Sequence, residues 1–158
     1  MLNQSAFSTG VAPTLTMMQT IKSRFGDIVV DTDKAVLFPR GLLGIPDKSQ
    51  FMLASFPSPK MQQFMLLQSL EDPNLSFITL PLDFNNSMIE ADDLRAACRD
   101  LQIEESDVAI LLIVLVHRGL DQVRLSVNLR APILVDAKRR KGSQYVFIQD
   151  HYKVQHML

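Results

Sequence analysis

The sequence has a single cysteine, Cys98, and no apolar run long enough to cross a membrane. One cysteine excludes an internal disulfide and a four-cysteine zinc site, and it fits a reducing compartment. The longest apolar run is VAILLIVLV at residues 108–116, which is far short of the ~20 residues that span a bilayer. The N-terminus lacks the basic residues and the compact apolar block of a signal peptide. We therefore expect a cytoplasmic protein with no membrane segment.

An excess of charge of either sign is also missing. Lys and Arg number 16 and Asp and Glu 17, for a net charge of −1. This balance argues against a polybasic nucleic-acid-binding protein but leaves room for a local basic patch. The 158 residues are 47% hydrophobic and 21% charged, as is typical of a globular domain that buries roughly 70% of its unfolded surface. We expect a single domain with a real core.

No pattern of residues in the chain indicates a catalytic, metal-binding or phosphate-binding site. The histidines His117, His151 and His156 have no HxxxH or HxxE spacing, whereas a metal site needs three or four convergent ligands. Cys98 lies on the apolar face of a predicted helix, where a small core residue is a better interpretation than a nucleophile. The sequence contains no phosphate-binding glycine loop and no GxSxG elbow. We therefore predict no enzyme, no catalytic residue, no metal and no cofactor.

What is present is a series of short strand-like runs. Residues 1–20 are rich in Ser and Thr and carry no charge, so we interpret them as a flexible extension. From residue 21 onwards, short apolar runs separated by Gly, Pro, Asp and Asn predict a mainly β fold, a small antiparallel β-barrel-like domain. Within the first run the phase of the alternation shifts after Gly26, which predicts a bulge.

One segment has helical periodicity. In EADDLRAACRDLQI, residues 90–103, Asp92 and Asp93 fall in the first turn, where the helix dipole favours acids. An apolar stripe with i, i+3, i+4 spacing is formed by Ala91, Leu94, Ala97, Cys98 and Leu101. We predict one short amphipathic helix here.

The longest strand-like alternation is VRLSVNLRAPILVD, residues 123–136. At roughly 3.3 Å per residue it would reach about 50 Å, whereas a domain of this size has a radius of gyration near ~15 Å. Pro132 has no N–H for a sheet ladder. We therefore predict that the chain bends at residues 128–132, around a barrel corner or between two sheets.

A basic cluster, KRRK at residues 138–141, lies between two strand-like runs. We interpret it as a solvated hairpin tip in which Gly142 supplies a positive φ. The alternative is a nucleic-acid-binding β-barrel module that uses this tip against phosphates. Apart from Tyr145, no aromatic residue stands beside it as a stacking platform. A third hypothesis, a small-ligand barrel, requires a deep apolar pocket.

An acidic turn, Glu71-Asp72-Pro73-Asn74, separates two apolar runs. Such Pro-containing turns are usually connections. A rigid β scaffold without a catalytic constellation nevertheless suits a binding protein better than an enzyme.

Three stretches together resemble one family, the FliW flagellar assembly factors. They are SRFGDIVVDTDKAVLFPRGLLGIPD at residues 23–47, FMLLQSLEDPNLSFITLPL at 64–82 and SVNLRAPILVDAKRRKGSQ at 126–144. The resemblance implies a FliW-like β-barrel domain over residues 21–158 that is cytoplasmic and without catalysis. It implies that the protein binds flagellin and also the RNA-binding carbon-storage regulator CsrA. Flagellin export would then release the protein to relieve repression of flagellin translation by CsrA. Direct nucleic-acid binding is not expected, and we expect a monomer.

The resemblance also assigns residues. Residues that match its motifs with a structural role are Phe25, Gly26, Phe38, Pro39, Gly41, Leu42, Gly44, Asn128, Leu129 and Pro132. Residues predicted to face a partner are Leu70, Glu71, Asp72, Pro73 and Arg130. The chain departs from the family at Arg40, where an acid is more usual, and at Leu43 and Ile45, where Pro and Phe are. The family is also generally acidic, whereas this chain is nearly neutral.

Overall fold

The computed structural model describes residues 17–158, so most of the predicted extension, residues 1–16, lies outside the described residues. The described part contains eleven strands. These are β1 (Met18–Ser23), β2 (Gly26–Asp31), β3 (Val36–Leu37), β4 (Gln50–Ser55), β5 (Met65–Ser69), β6 (Ser76–Leu82), β7 (Val108–Arg118), β8 (Val123–Val127), β9 (Ile133–Asp136), β10 (Lys141–Gln144) and β11 (His156–Met157). One α-helix, α1, spans Ala91–Leu101, and three 3₁₀ turns span Thr32–Lys34, Pro59–Met61 and Glu105–Asp107.

Seven of the strands close into a ring. Their order is β7-β6-β5-β4-β3-β10-β9, and β9 pairs again with β7. All neighbours in the ring are antiparallel except β3 and β10, which are parallel. The predicted mainly β, barrel-like fold with one short helix is thus confirmed.

The long alternating run is broken at residues 128–132. Its first half, β8, pairs with the end of β7, and its second half, β9, pairs with the beginning of the same strand. Ile133 lies opposite Leu111 and Val127 opposite Val114, so the break places five residues against only two of β7. The chain therefore turns out of the ladder between the closed ring and a three-stranded extension of β7, β8 and β11.

The interior of the ring is filled by side chains. Phe38 and Phe51 pack edge to face with 5.4 Å between ring centroids. The rest of this cluster comes from most of the ring strands and is made of Val36, Leu42, Leu67, Leu111, Ile133 and Val135. Gly142 completes the packing, because a Cβ on this residue would lie 2.4 Å from the Phe38 ring. A filled interior counts against the small-ligand barrel.

A second apolar layer covers the outside of the ring. The β1–β2 hairpin, α1 and the C-terminal segment contribute to it, with Ile28, Leu94 and Tyr152 among its buried residues. In α1, Leu94, Ala97 and Cys98 are buried, as the predicted stripe requires. The helix ends where Gln102 adopts a left-handed conformation, φ 58°. Among residues 17–158, no helix combines the length and apolar character needed to cross a membrane.

Two sequence predictions near the N-terminus were wrong. β1 begins at Met18, within the segment assigned to the extension. The sequence pattern missed these residues because Met18 to Thr20 are all exposed and therefore show no apolar alternation. The phase shift at Gly26 marks a two-residue hairpin turn rather than a bulge, since Ser23 pairs with Gly26. Gly26 has φ 119°, which suits glycine. A turn and a bulge both interrupt the alternation, so the pattern alone does not separate them.

Candidate functional site

The turn that joins β5 to β6 begins with a buried serine. The Ser69 side chain is 1% exposed, and its Oγ accepts the backbone N–H groups of Glu71 and Asp72, each at 3.0 Å. The Asp72 Oδ1 then accepts the N–H of Asn74 at 2.9 Å, and the Leu75 N–H returns to the Asp72 carbonyl at 3.1 Å. The backbone N–H groups of Glu71, Asp72, Asn74 and Leu75 thus all have local acceptors, which order the turn before any other protein binds.

A buried glutamine supports the turn from below. Gln68 is fully buried, and its Nε2 donates to the carbonyls of Ser69, Asp72 and Pro73 at 2.9, 3.2 and 3.3 Å. The Ser76 hydroxyl donates to the Gln68 Oε1. Sequence reasoning missed this residue. The available signal was an amide side chain directly after the apolar run Met65–Leu67, which is informative because buried amides need several partners.

Glu71 is used inside the fold. Its Oε1 accepts the backbone N–H groups of Ser49 and Gln50 at 2.7 and 2.8 Å, so the carboxylate ties the turn to the start of β4. The N–H groups of Gln50 and Ser49 hold the pKa of Glu71 below its ordinary value. This geometry gives Glu71, although it is exposed, a structural role as a clamp. The half-buried Asp72 carboxylate makes no ion pair in the described part of the chain.

The other predicted residues of the turn lie at the surface. Leu70 is half-buried and packs on the outer apolar layer, and it lines a shallow surface cleft with Leu37 and Gln50. Asp72 is half-buried and Pro73 is exposed. Together they form a rigid surface of apolar, acidic and ring-constrained side chains.

The structure does not join Arg130 to this turn by any hydrogen bond in the described part of the chain. Arg130 Nε donates to the Tyr152 carbonyl at 3.0 Å, and Nη2 donates to the Asp150 carbonyl at 3.2 Å. Its own carbonyl accepts the Phe147 N–H at 2.8 Å. Arg130 therefore holds the C-terminal segment against the break at residues 128–132.

The remaining motif residues fall at turns and in the packing. Gly41 has φ 64°, and a Cβ there would lie 2.4 Å from the Ile45 carbonyl oxygen. Gly44 has φ 82°. The Asn128 Oδ1 accepts the Ala131 N–H at 3.0 Å and so shapes the break. Of the others, Phe38, Leu42, Leu129 and Pro132 are buried, Phe25 is half-buried against Phe56, and Pro39 is exposed.

The basic cluster is found at the tip of the β9–β10 hairpin. The Asp136 Oδ1 accepts the N–H groups of Lys138 and Arg139, each at 3.0 Å, and the Arg139 Nη1 donates to the Gln102 carbonyl at the end of α1. The positive φ of this turn belongs to Arg140, at 53°. The prediction for Gly142 was therefore wrong, since that glycine makes room for a ring of the core.

The histidines and the cysteine, which in other proteins act in catalysis or bind metals, do not come together in one site. His117 Nε2 is 2.7 Å from the Ser126 hydroxyl, and the His151 ring packs on Tyr152. Cys98 is buried, and burial raises the pKa of its thiol, with Glu105 adding to the shift. Among residues 17–158, no group of three His, Cys, Asp or Glu side chains is placed to hold a metal ion.

Comparison with known proteins places the chain in a family. The family model described as "FliW protein" matches residues 19–158. The chain is 35% identical to the flagellar assembly factor FliW of Oceanobacillus iheyensis over 141 residues, covering 87% of this chain and 92% of that protein. It is 34% identical to the corresponding protein of Geobacillus kaustophilus over 136 residues, covering 84% and 90%.

A solved structure agrees with these relatives. A crystal structure of the flagellar assembly factor FliW superimposes with a TM-score of 0.66 at 28% identity, covering 88% of this chain and 96% of that chain. The resemblance drawn from the three sequence motifs is confirmed. The chain belongs to the FliW family.

Proposed function

We propose that this protein is a cytoplasmic, non-catalytic flagellar assembly factor that binds flagellin and a CsrA-type RNA-binding regulator. Its family and the names of its relatives, flagellar assembly factor FliW, support the flagellar role. A closed barrel with a filled interior supports action through the surface rather than through a cavity. In this role flagellin and the regulator compete for one protein, and flagellin export releases it to relieve repression of flagellin translation.

The observation that carries the proposal is the rigid turn at residues 70–74. It is held by Ser69, Gln68 and Glu71 through hydrogen bonds within the fold, and it keeps Asp72 and Pro73 at the surface. A turn ordered in the free protein loses little conformational entropy when it binds. The half-buried Leu70 beside it supplies apolar contact area, which is the usual companion of a charged contact in an interface.

The first experiment is a calorimetric titration of the protein with flagellin and with the CsrA-type regulator of the same cell, at two salt concentrations. Asp72→Asn removes the charge but keeps an oxygen for the Asn74 N–H, so the turn keeps its shape. We expect at least about fivefold weaker binding. Asp83→Asn, at an exposed acid with no ion pair in the described part, is the matched control and should bind as the wild type does.

Competition between the two ligands tests the switch itself. Saturation with flagellin should abolish heat from the regulator, and the reverse order should give the same result because the coupling is reciprocal. Independent binding of both ligands would contradict the switch. Absence of binding to both would contradict the proposed function.

A second candidate, binding of nucleic acid, is favoured by one observation. The side chains of Lys138, Arg140 and Lys141 are exposed and make no ion pair in the described part of the chain. Titration with RNA tests it: affinity that falls steeply with salt and is lost in the Lys138→Ala/Arg140→Ala/Lys141→Ala variant would establish this candidate.

A further inference from the structure

The β7–β8 extension, residues 114–127 with 156–158, carries a concentration of exposed apolar side chains. Five of the twelve large apolar side chains exposed in the described part belong to it. Leu120, at the tip of the hairpin, is fully exposed, and Val123 is 63% exposed. The other three are Leu115, Met157 and Leu158. Such a grouping marks an interaction site more often than scattered single residues do.

The strand pairing places two of these residues, Val123 and Leu158, on one face of the extension, whereas Leu115 and Met157 lie on the other. Val114 lies opposite Val127, and this pair is buried in the outer apolar layer. One row further along, Val116 lies opposite Leu125, both half-buried, and the Leu158 N–H donates to the Leu125 carbonyl. Residues directly opposite in an antiparallel pair share a face. The outer apolar layer therefore continues beyond the barrel, from the buried pair Val114 and Val127 to the half-buried pair Val116 and Leu125. At this second pair the layer is only partly covered by other residues.

The next row carries charge as well as apolar surface. Val123 lies opposite Arg118, which is exposed and makes no ion pair in the described part of the chain. Arg124 lies on the other face of the hairpin and does not contribute to this row. Asp121, in the turn, is the one acid within residues 114–127. A partner suited to this extension therefore carries acids beside an apolar stripe.

The shape of the surface favours a helix over a strand or a second copy. Val123 and Leu158 lie on the same sheet face as Val116 and Leu125. A helix can pack on such a face, whereas an added strand would pair with an edge. In a two-fold dimer the same patch would meet itself. Each copy would then offer Arg118 a surface whose one acid within residues 114–127 is Asp121, so the charges of the two copies would not be complementary.

We propose that the β7–β8 extension is a docking surface for an acidic amphipathic helix of a partner protein. The inference rests on the proposed function, because flagellin and the CsrA-type regulator are the ligands in which such a helix is sought. The apolar stripe of the helix packs on Val116, Val123, Leu125 and Leu158, and its acids pair with Arg118.

The test uses two variants with matched controls, titrated against flagellin and against the regulator. Val123→Glu puts a charge into the apolar row, and Arg118→Glu reverses the charge. We expect each to weaken binding of one ligand at least about tenfold. Val29→Glu, at 61% exposure on β2, and Lys22→Glu, exposed on β1, are the controls and should bind normally. Unfolding curves for all four variants separate loss of contact from loss of fold.

A photo-crosslinking residue at position 120 then identifies the occupant. Crosslinking to an acidic amphipathic helix of the affected ligand supports the inference. Crosslinking to a second copy of this chain or to a basic or non-helical segment overturns it. If both variants bind the two ligands as tightly as the wild type does, this inference is overturned and the proposed function stands. Failure of the wild type to bind either ligand overturns the proposed function and this inference together.

Discussion

Two charged turns of this protein start in the same way and use their charges differently. At the β5–β6 turn the buried Ser69 hydroxyl accepts two backbone N–H groups, and at the β9–β10 turn the buried Asp136 carboxylate does the same. After this common start, the Glu71 carboxylate folds back onto two further N–H groups, whereas Lys138 stays in solvent.

The difference follows from the backbone groups each turn meets. The start of β4 offers two N–H groups within reach of Glu71, and an acid satisfies them. The β9–β10 turn meets the end of α1, where the Gln102 carbonyl accepts from Arg139. Within residues 17–158, the side chains of the other three cations donate no hydrogen bond. A run of like charges in the sequence therefore does not indicate by itself whether the charges stabilise the fold.

The largest effect is expected at Asp136. Asp136→Ala removes a 5% exposed carboxylate that accepts two N–H groups and a guanidinium contact from Arg139. We expect a loss of about 3 kcal/mol in the free energy of unfolding, measured by urea denaturation. Asp136→Asn keeps an acceptor oxygen and should lose less than half as much. Equal losses in the two variants would show that the charge matters more than the turn geometry.

Ser69→Ala should have the next largest effect. It leaves the N–H groups of Glu71 and Asp72 without their acceptor, at a cost of about 1–2 kcal/mol. The same denaturation experiment gives the value, and Ser87→Ala, at an exposed serine, is the control. A loss as large as that of Asp136→Ala would show that the neutral Ser69 hydroxyl and the charged Asp136 carboxylate stabilise their turns equally.

The clamp at Glu71 predicts a dependence on pH. Its pKa is lowered in the folded state, so its stabilising contribution is present above the ordinary pKa of ~4.3 and is lost as pH falls through the folded-state pKa. Glu71→Gln keeps an acceptor but has no charge to titrate. We expect the melting temperature of the wild type to exceed that of the variant at pH 7 and the gap to close below about pH 4. A gap independent of pH would contradict the ionic clamp.

The smallest effect is expected for the free cations. Lys138→Ala combined with Lys141→Ala removes two exposed charges with no ion pair in the described part of the chain. The free energy of unfolding should change by less than about 0.5 kcal/mol. A larger loss would mean that the exposed cations of the β9–β10 turn also stabilise the fold, as Glu71 does in the β5–β6 turn.

Features with a short-range cause were predictable from the sequence. The helix at Ala91–Leu101 follows from its apolar period and its first-turn acids, which need no distant partner. The break at residues 128–132 follows from the length of the alternating run and from Pro132. The position of the KRRK cluster at a hairpin tip follows from the strand-like runs on either side.

Features with a long-range cause were not predictable. Glu71 lies 21 and 22 residues from the N–H groups that it binds. Gly142 is required by the ring of Phe38, which lies on another part of the barrel. The positive φ of the β9–β10 turn belongs to Arg140 rather than to Gly142. Gly142 lies within β10, where it makes room for the Phe38 ring, and so takes no part in the turn.

The sequence by itself determined the class of the fold, the helix at Ala91–Leu101, the family and the absence of a recognisable catalytic motif, because each depends on local periodicity or on residue order. The tertiary structure alone decided that β7 pairs with two halves of one run and so closes the ring. It also decided that Glu71 and Arg130 hold the fold together, and that the apolar layer continues uncovered past the barrel. These features depend on which distant backbone groups and surfaces meet, and closure of the chain into a barrel is what brings them together.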